Sequence, residues 1–246
     1  MLTVLWESER IAVVDKPAGL PVIPRRNPAP GETCLRDVVR AVTGGPVFVV
    51  HRIDAGTSGT VLFAKDADAH RSLCLAFERH VIRKYYVCVA AGCPPAEGAI
   101  HTPLRPARRG KMQPAAPGEP GLPSETRFRV LEQGGGYALV AAFPLTGRQH
   151  QIRVHFRSVG FPIAGDPLYA SGAAKAFPRL LLHQHAVKFP LPGATEWRTV
   201  TAPIPADFTA CLARAGLPPD SRRVPACLQA FITDIEEIPT ANESAS

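Results

Sequence analysis

The stretch His51-Arg52-Ile53-Asp54-Ala55-Gly56-Thr57-Ser58-Gly59 sets a carboxylate beside a histidine and an arginine, after an apolar run and before a small polar turn. A carboxylate is anionic at neutral pH, so Asp54 could attack an electrophilic carbon or remove a proton. The plainer use is turn formation, in which an aspartate bonds backbone amides two residues on, and Thr57, Ser58 and Gly59 suit that use too. Chemistry needs a partner, because a buried carboxylate left alone tends to protonate. The segment Thr146-Gly147-Arg148-Gln149-His150-Gln151-Ile152-Arg153 offers one, with Arg153 and Arg157 a helical turn apart. The resemblance to a kinase catalytic loop is superficial. That loop sets Asp directly after Arg and Asn five residues beyond, whereas here Ile53 intervenes and position 59 is glycine.

At 246 residues, 46% hydrophobic and 20% charged, the chain has ordinary globular composition and length for one large domain or two small ones. No apolar run approaches the ~18 residues of a membrane span. Glu7, Glu9 and Arg10 interrupt the start before any secretory signal develops, so a cytoplasmic protein away from membranes is expected. The six cysteines form no CxxC pair and read as small buried hydrophobes, and no histidine set has common ligand spacing, so no metal is expected. Phosphate-cradling glycine motifs are absent, which argues against a dehydrogenase or an NTPase, and no carboxylate cluster could hold the two ions of a metal-dependent nuclease.

The net charge of +7 is concentrated in residues 83–157, with 11 basic against 4 acidic residues. Arginine supplies 22 of the 28 basic side chains, and its planar fork suits phosphate oxygens and stacks on bases. A solvated basic surface is the bland account; a nucleic acid partner is the sharper one if a site agrees.

Strands are expected at 11–17, 47–50, 60–66 and 84–92, which makes 51–59 a strand-to-strand connection. A helix capped by Thr33 would place Leu35, Val38, Val39 and Val42 on one face and stop at Gly44, and a second would cover 67–80 with Leu73, Phe77 and His80 near one face. Residues 93–124, rich in proline, read as a long loop carrying Arg105, Arg108, Arg109 and Lys111. Residues 126–143 form a hairpin about Gly134-Gly135-Gly136. Residues 146–160 read as a helix capped by Thr146, with Ile152, Phe156 and Val159 inward and Gly160 as stop. This irregular order favours an α+β fold on a mixed, mostly antiparallel sheet. From about 206 the chain turns acidic, suits a peripheral helix or two, and ends in residues expected to be disordered.

Five segments, VVDKPAGLPV (13–22), HRIDAGTSG (51–59), KYYVCVAAG (84–92), TGRQHQIRVHF (146–156) and GDPLY (165–169), resemble in order the motifs of the RluA family of pseudouridine synthases. The resemblance runs from about residue 4 to 200 and implies a catalytic domain over 1–205, a C-terminal extension over 206–246, and no S4-type RNA-binding module ahead of it. It implies an enzyme that isomerises uridine in RNA, breaking the bond from ribose to the base nitrogen and rejoining the base through carbon 5. Atoms are conserved overall, so no cofactor is expected. Asp54 falls on the family's catalytic aspartate, Tyr86 on its tyrosine and Arg153 on its arginine; a ribose adduct and a glycal route both remain open. Tyr86, two residues after Lys84, would stack on uracil and help remove the carbon 5 proton, while Tyr85 points to the opposite face.

His51, Arg52, Thr57, Ser58, Lys84, Arg105, Arg108, Arg109, Arg148 and Gln151 make up the expected substrate-binding set, with Arg127, Arg129 and Arg157 as further candidates for RNA contact. Arg52 would meet phosphate or fill the place of a displaced base. The target uridine would be flipped or unpaired in a stem-loop of ribosomal or transfer RNA, bound by a monomer with no obligate protein partner. Ile53, Cys88, Gln149 and Phe161 depart from the family pattern, which bears on substrate choice rather than on the chemistry. The rival is a non-catalytic RNA-binding or ribosome-assembly protein of the same fold. Loss of Asp54, Tyr86 or Arg153 would mark it, and all three are present.

Overall fold

A computed structural model describes residues 2–218 and 223–236. In chain order the elements are β1 (Thr3–Glu7), β2 (Ile11–Lys16), α1 (Leu35–Thr43), β3 (Phe48–Val49), β4 (Ser58–Ala64), α2 (Ala67–Glu78) and β5 (Arg83–Ala91). Three short strands follow, β6 (Glu97–Ile100), β7 (Leu104–Pro106) and β8 (Met112–Pro114), then the hairpin β9 (Thr126–Gly134) and β10 (Tyr137–Pro144). The chain continues through α3 (Gln151–Ser158), α4 (Gly172–Lys175), β11 (Leu182–Pro190), β12 (Trp197–Thr201), α5 (Ala206–Arg214) and α6 (Arg223–Glu236).

Ten strands form one sheet with the main order β1-β2-β4-β11-β5-β10-β9-β6, β12 pairing with β11 and β3 with β4. Its pairings are antiparallel except β4 with β11, which run parallel and set Ser58 opposite His183 and Gly59 opposite Gln184. That close approach explains the glycine: at φ 113°, a Cβ on Gly59 would run into the Gln184 carbonyl. The expected α+β architecture on a mixed, mostly antiparallel sheet is the one observed.

Alternation along β5 sends Tyr85, Val87 and Val89 to one core and Tyr86, Cys88 and Ala90 to the other. α3 covers the Tyr86 side with Ile152 and Phe156. α5 and α6 cover the Tyr85 side, burying Phe208, Cys211, Leu212, Leu228, Phe231, Ile232 and Ile235, so these helices share the main core rather than standing at the periphery. The terminal residues expected to be disordered lie outside the described residues.

Several local expectations are corrected. Residues 93–124 contain strands β6, β7 and β8, whose brevity was hidden by proline. Cys34, not Thr33, stands at the start of α1, and Val42 is exposed. α2 ends at Glu78, so His80 lies past it at φ 56°. α3 begins at Gln151, five residues past Thr146, because His150 adopts a left-handed conformation with φ 55°; Val159 at its end is exposed. Cys93 and Cys227 are exposed, while Cys34, Cys88 and Cys211 are buried as expected.

Candidate active site

A cavity of about 290 Å³ opens on the Tyr86 side of the sheet, with Asp54, Tyr86, Lys84, His150 and Arg153 in its wall. Asp54 reaches it from the turn between β3 and β4, where the Thr57 amide donates to the Asp54 carbonyl at 3.0 Å. Behind the turn, the fully buried Lys16 donates from Nζ to the carbonyls of Pro17, Leu20 and Ala55 at 2.8, 2.8 and 2.9 Å. Burial, reinforced by Arg179, pulls the Lys16 ammonium down to about 7 against the opposing charges of Asp54 and Asp15. With three carbonyls accepting, its role is to pin the 17–20 loop to the Asp54 turn.

α3 delivers the cation. Arg153 donates from Nη1 to Asp54 Oδ2 at 2.8 Å, and from Nε and Nη2 to the two oxygens of Asp166 at 2.7 and 2.8 Å. Burial works against its charge, but the bonds to Asp166 and Asp54 outweigh burial and push the guanidinium further into its charged form. Asp166 also accepts from the amides of Leu168 and Tyr169 at 2.9 and 3.2 Å. The turn preceding it requires Gly165, at φ 72°, because a Cβ there would strike the Arg179 carbonyl. Asp54 keeps a freer oxygen: Oδ1 lies 3.9 Å from His150 Nε2.

Tyr86 hangs from β5 with its hydroxyl donating to Gln184 Oε1 at 2.5 Å, and Gln184 Nε2 in turn donates to Thr60 at 2.9 Å. Burial, with the Asp54 charge adding to it, raises the phenol well above its ordinary value, so Tyr86 presents a neutral ring rather than a ready base. Lys84, two residues along the same face, ends 3.5 Å from the Thr146 carbonyl and is lowered to about 8 by burial. His51 stacks on Phe77 at 4.8 Å and accepts the Leu62 amide at 2.9 Å. Burial and the Lys84 charge lower it to about 3, so it is a neutral wall residue that fixes the strand end.

Of the other expected contacts, Arg52 is exposed at the cavity rim, and Thr57 and Arg148 line the cavity. Ser58 does not. It points behind the sheet to His183 Nδ1 at 2.9 Å and accepts from Arg179 at 2.7 Å. Gln151 spends its amide on structure, accepting from Thr146 and the Arg148 amide and donating to Glu125 and Thr126. Arg105, Arg108, Arg109 and Lys111 gather on the separate β7–β8 arm, outside the cavity, where Arg105 pairs with Glu119 at 3.0 Å. Arg127 is tied to Glu125, and Arg129 to Asp234 and Glu97.

Sequence reasoning missed Asp166, His150, Tyr169 and Lys16 as members of this site. The motifs 13–22, 146–156 and 165–169 contained all four, so the signal was there, but nothing local distinguished a turn aspartate from the second carboxylate of an arginine clamp. Among the described residues, no group of three His, Cys, Asp or Glu could hold a metal ion, and no helix is long and apolar enough to cross a membrane.

Residues 10–158 match the family model described as RNA pseudouridylate synthase. The chain is 36% identical over 210 residues to the dual-specificity RNA pseudouridine synthase RluA of Escherichia coli O157:H7, covering 84% of this chain and 94% of that protein. The solved structure of human RNA pseudouridylate synthase domain containing 4 superposes with a TM-score of 0.71 at 25% identity, covering 86% of this chain and 92% of the other. That of human RNA pseudouridylate synthase domain containing 1 gives 0.77 at 24% identity over 97% of this chain and 96% of its own, a likeness of fold.

Proposed function

The chain belongs to the RNA pseudouridylate synthase family, enzymes that isomerise uridine to pseudouridine in RNA, and we propose that Asp54, clamped by Arg153, is the carboxylate that does the chemistry here. The observation that carries this reading is the asymmetry of the clamp. Arg153 holds Asp54 by Oδ2 alone, and the carboxylate, 26% exposed in the cavity wall, keeps its other oxygen 3.9 Å from His150 of the same wall.

A uridine flipped into the cavity brings its ribose to that oxygen. Asp54 then attacks C1′ or takes a proton from the ribose; either route breaks the bond from C1′ to N1. The freed uracil turns on the Tyr86 ring, whose neutral, buried face suits stacking, and C5 bonds to C1′ as the Asp54–C1′ bond breaks or, on the other route, as Asp54 returns the ribose proton. The proton that C5 loses is balanced by the one that N1 gains, so the step needs no oxidant or reductant. Arg153 keeps Asp54 aimed throughout.

The substrate is a stem-loop of ribosomal or transfer RNA. The dual-specificity name of the Escherichia coli relative and the arginines of the β7–β8 arm support that class, and unstacking one base costs a few kcal/mol that phosphate contacts on the arm can offset. The proposed enzyme is a monomer working where such RNA is found, in the cytoplasm. Arg52, exposed where it lines the cavity, would meet the strand that the base leaves.

Release of tritium from RNA labelled at carbon 5 of uridine tests the reading. The purified protein releases tritium, and Asp54→Asn does not while still binding the RNA. Tritium release by Asp54→Asn at the normal rate would overturn the assignment.

A further inference from the structure

We propose that His150 is a positioning residue that couples the seating of the β7–β8 arm to the aim of Asp54, an inference that rests on the catalytic reading of Asp54. The arm is joined to the site by one continuous set of bonds. The Met112 amide of β8 donates to the Tyr169 hydroxyl oxygen at 2.8 Å, and that oxygen lies 2.8 Å from His150 Nδ1. With the backbone amide donating into it, the hydroxyl directs its own proton to Nδ1. The ring proton of a neutral His150 is then left on Nε2.

Nε2 faces Oδ1 of Asp54 at 3.9 Å, and this is the oxygen that Arg153 leaves free. The separation is too long for a hydrogen bond, and a shift of about 1 Å would form a charge-assisted one. One more bond ties the same spot to the arm: Gln149, the neighbour of His150, donates to the Gly110 carbonyl at the arm tip at 3.4 Å. Arg153 lies 5.1 Å over the Tyr169 ring, so the tyrosine that receives the arm also packs on the clamp. His150 itself is held at φ 55°, a conformation costly for a side chain with a Cβ, so the surrounding contacts dictate where its ring sits. Phosphates gripping Arg108 and Arg109 would move Met112, and with it the Tyr169 hydroxyl and the imidazole. The enzyme thereby aims its free carboxylate oxygen when structured RNA occupies the arm.

The test is a double-mutant cycle on the full-length enzyme, with C5-tritiated RNA stem-loop as substrate. Tyr169→Phe removes the hydroxyl and keeps the ring over Arg153; His150→Asn removes the imidazole and keeps a residue that tolerates the left-handed backbone. Each is expected to lower kcat roughly ten- to a hundredfold, the cost of misplacing a reacting group by about 1 Å, with KM and melting temperature near those of the parent. The double variant should be no slower than the slower single one.

The arm enters through Arg108→Ala with Arg109→Ala. Made in the parent, this pair lowers kcat as well as affinity; made in Tyr169→Phe, it lowers affinity alone. Additive losses in kcat, a loss confined to KM, or an equal kcat loss from the arm pair in both backgrounds would each overturn the coupling. Asp54→Asn separates the two claims: if it is inactive while the cycle is additive, the coupling alone fails, and if it is active, the catalytic reading fails first.

Discussion

Asp54 and Asp166 are bonded to the same arginine from its two edges, yet Asp54 is 26% exposed on one bond while the Asp166 side chain is fully buried on two. Asp166 also takes the amides of Leu168 and Tyr169, which leaves it no oxygen to offer a substrate. Asp54 has only the long approach of His150 on its second oxygen. Residue type and partner are identical, so what separates a reacting carboxylate from a structural one is the number of donors that surround it. Replacing each in turn should split activity from stability. Asp54→Asn is expected to lose on the order of 10⁴-fold or more in turnover, as when one member of a catalytic unit is removed, with the denaturation midpoint and RNA affinity little changed. Comparable rates for the variant and its parent in the tritium assay would erase the distinction.

Asp166→Asn attacks the other side of the clamp. A guanidinium 5% exposed then loses its bidentate partner, and breaking a buried pair costs roughly 3–5 kcal/mol, read as a lowered denaturant midpoint at unchanged slope. Activity should fall as well, because Arg153 is aimed at Asp54 by Asp166. Unaltered stability would show that Asp166 is as dispensable to the fold as an exposed carboxylate.

This pair also marks where sequence reading succeeds and fails. The resemblance to the family's ordered motifs brings Asp54, Tyr86 and Arg153 together, and the structure sets Asp54 and Arg153 in contact, with Tyr86 in the same cavity wall. The hairpin about Gly134 and the two faces of β5 followed from alternation, which is a local property. Ser58 shows a slip that alternation could have prevented: it follows Thr57, so if Thr57 lines the cavity, Ser58 must point behind the sheet, as it does toward His183. Asp166 and Lys16 were beyond reach because nothing local marks a turn aspartate as an arginine's second partner or a strand-end lysine as the pin between two turns; only the tertiary fold supplies those contacts. The start of α3 was misplaced for a related reason. Thr146 resembles a cap, but its hydroxyl bonds the Gln151 side chain, and the left-handed turn at His150 delays the helix.

The arm and the cavity make a second contrast, of solvated against desolvated cations. Arg108 and Arg109 are exposed, whereas Arg153 is buried, so the former should act through phosphate and the latter through Asp54. Replacing both arm arginines by alanine should weaken RNA binding nearly independently of sequence and reduce the slope of log affinity against log salt by about two units, read from titrations at several salt concentrations. An unchanged slope would take the arm out of the RNA interface.

Lys84 and Arg153 carry the contrast inside the cavity itself. Arg153 is matched by two carboxylates, while the ammonium of Lys84 has the Thr146 carbonyl at 3.5 Å and the Phe77 ring at 5.9 Å, and burial lowers it from 10.5 to about 8. A lysine depressed in the folded state weakens the fold while it stays charged. Between pH 8 and the ordinary lysine range the unfolded chain binds more protons than the folded one, so stability rises with pH through that window. Lys16, lowered to about 7, contributes in an overlapping range, and the buried Tyr86 and Cys88, raised by burial, oppose the rise at its alkaline end. Subtracting a Lys84→Met variant from the parent removes those shared parts. The variant should be the more stable at neutral pH, and its advantage should shrink steadily from pH 8 to 10 in denaturant titrations. An advantage independent of pH would mean that the ammonium keeps its ordinary proton affinity, and hence that solvent reaches it as freely as it reaches the arm.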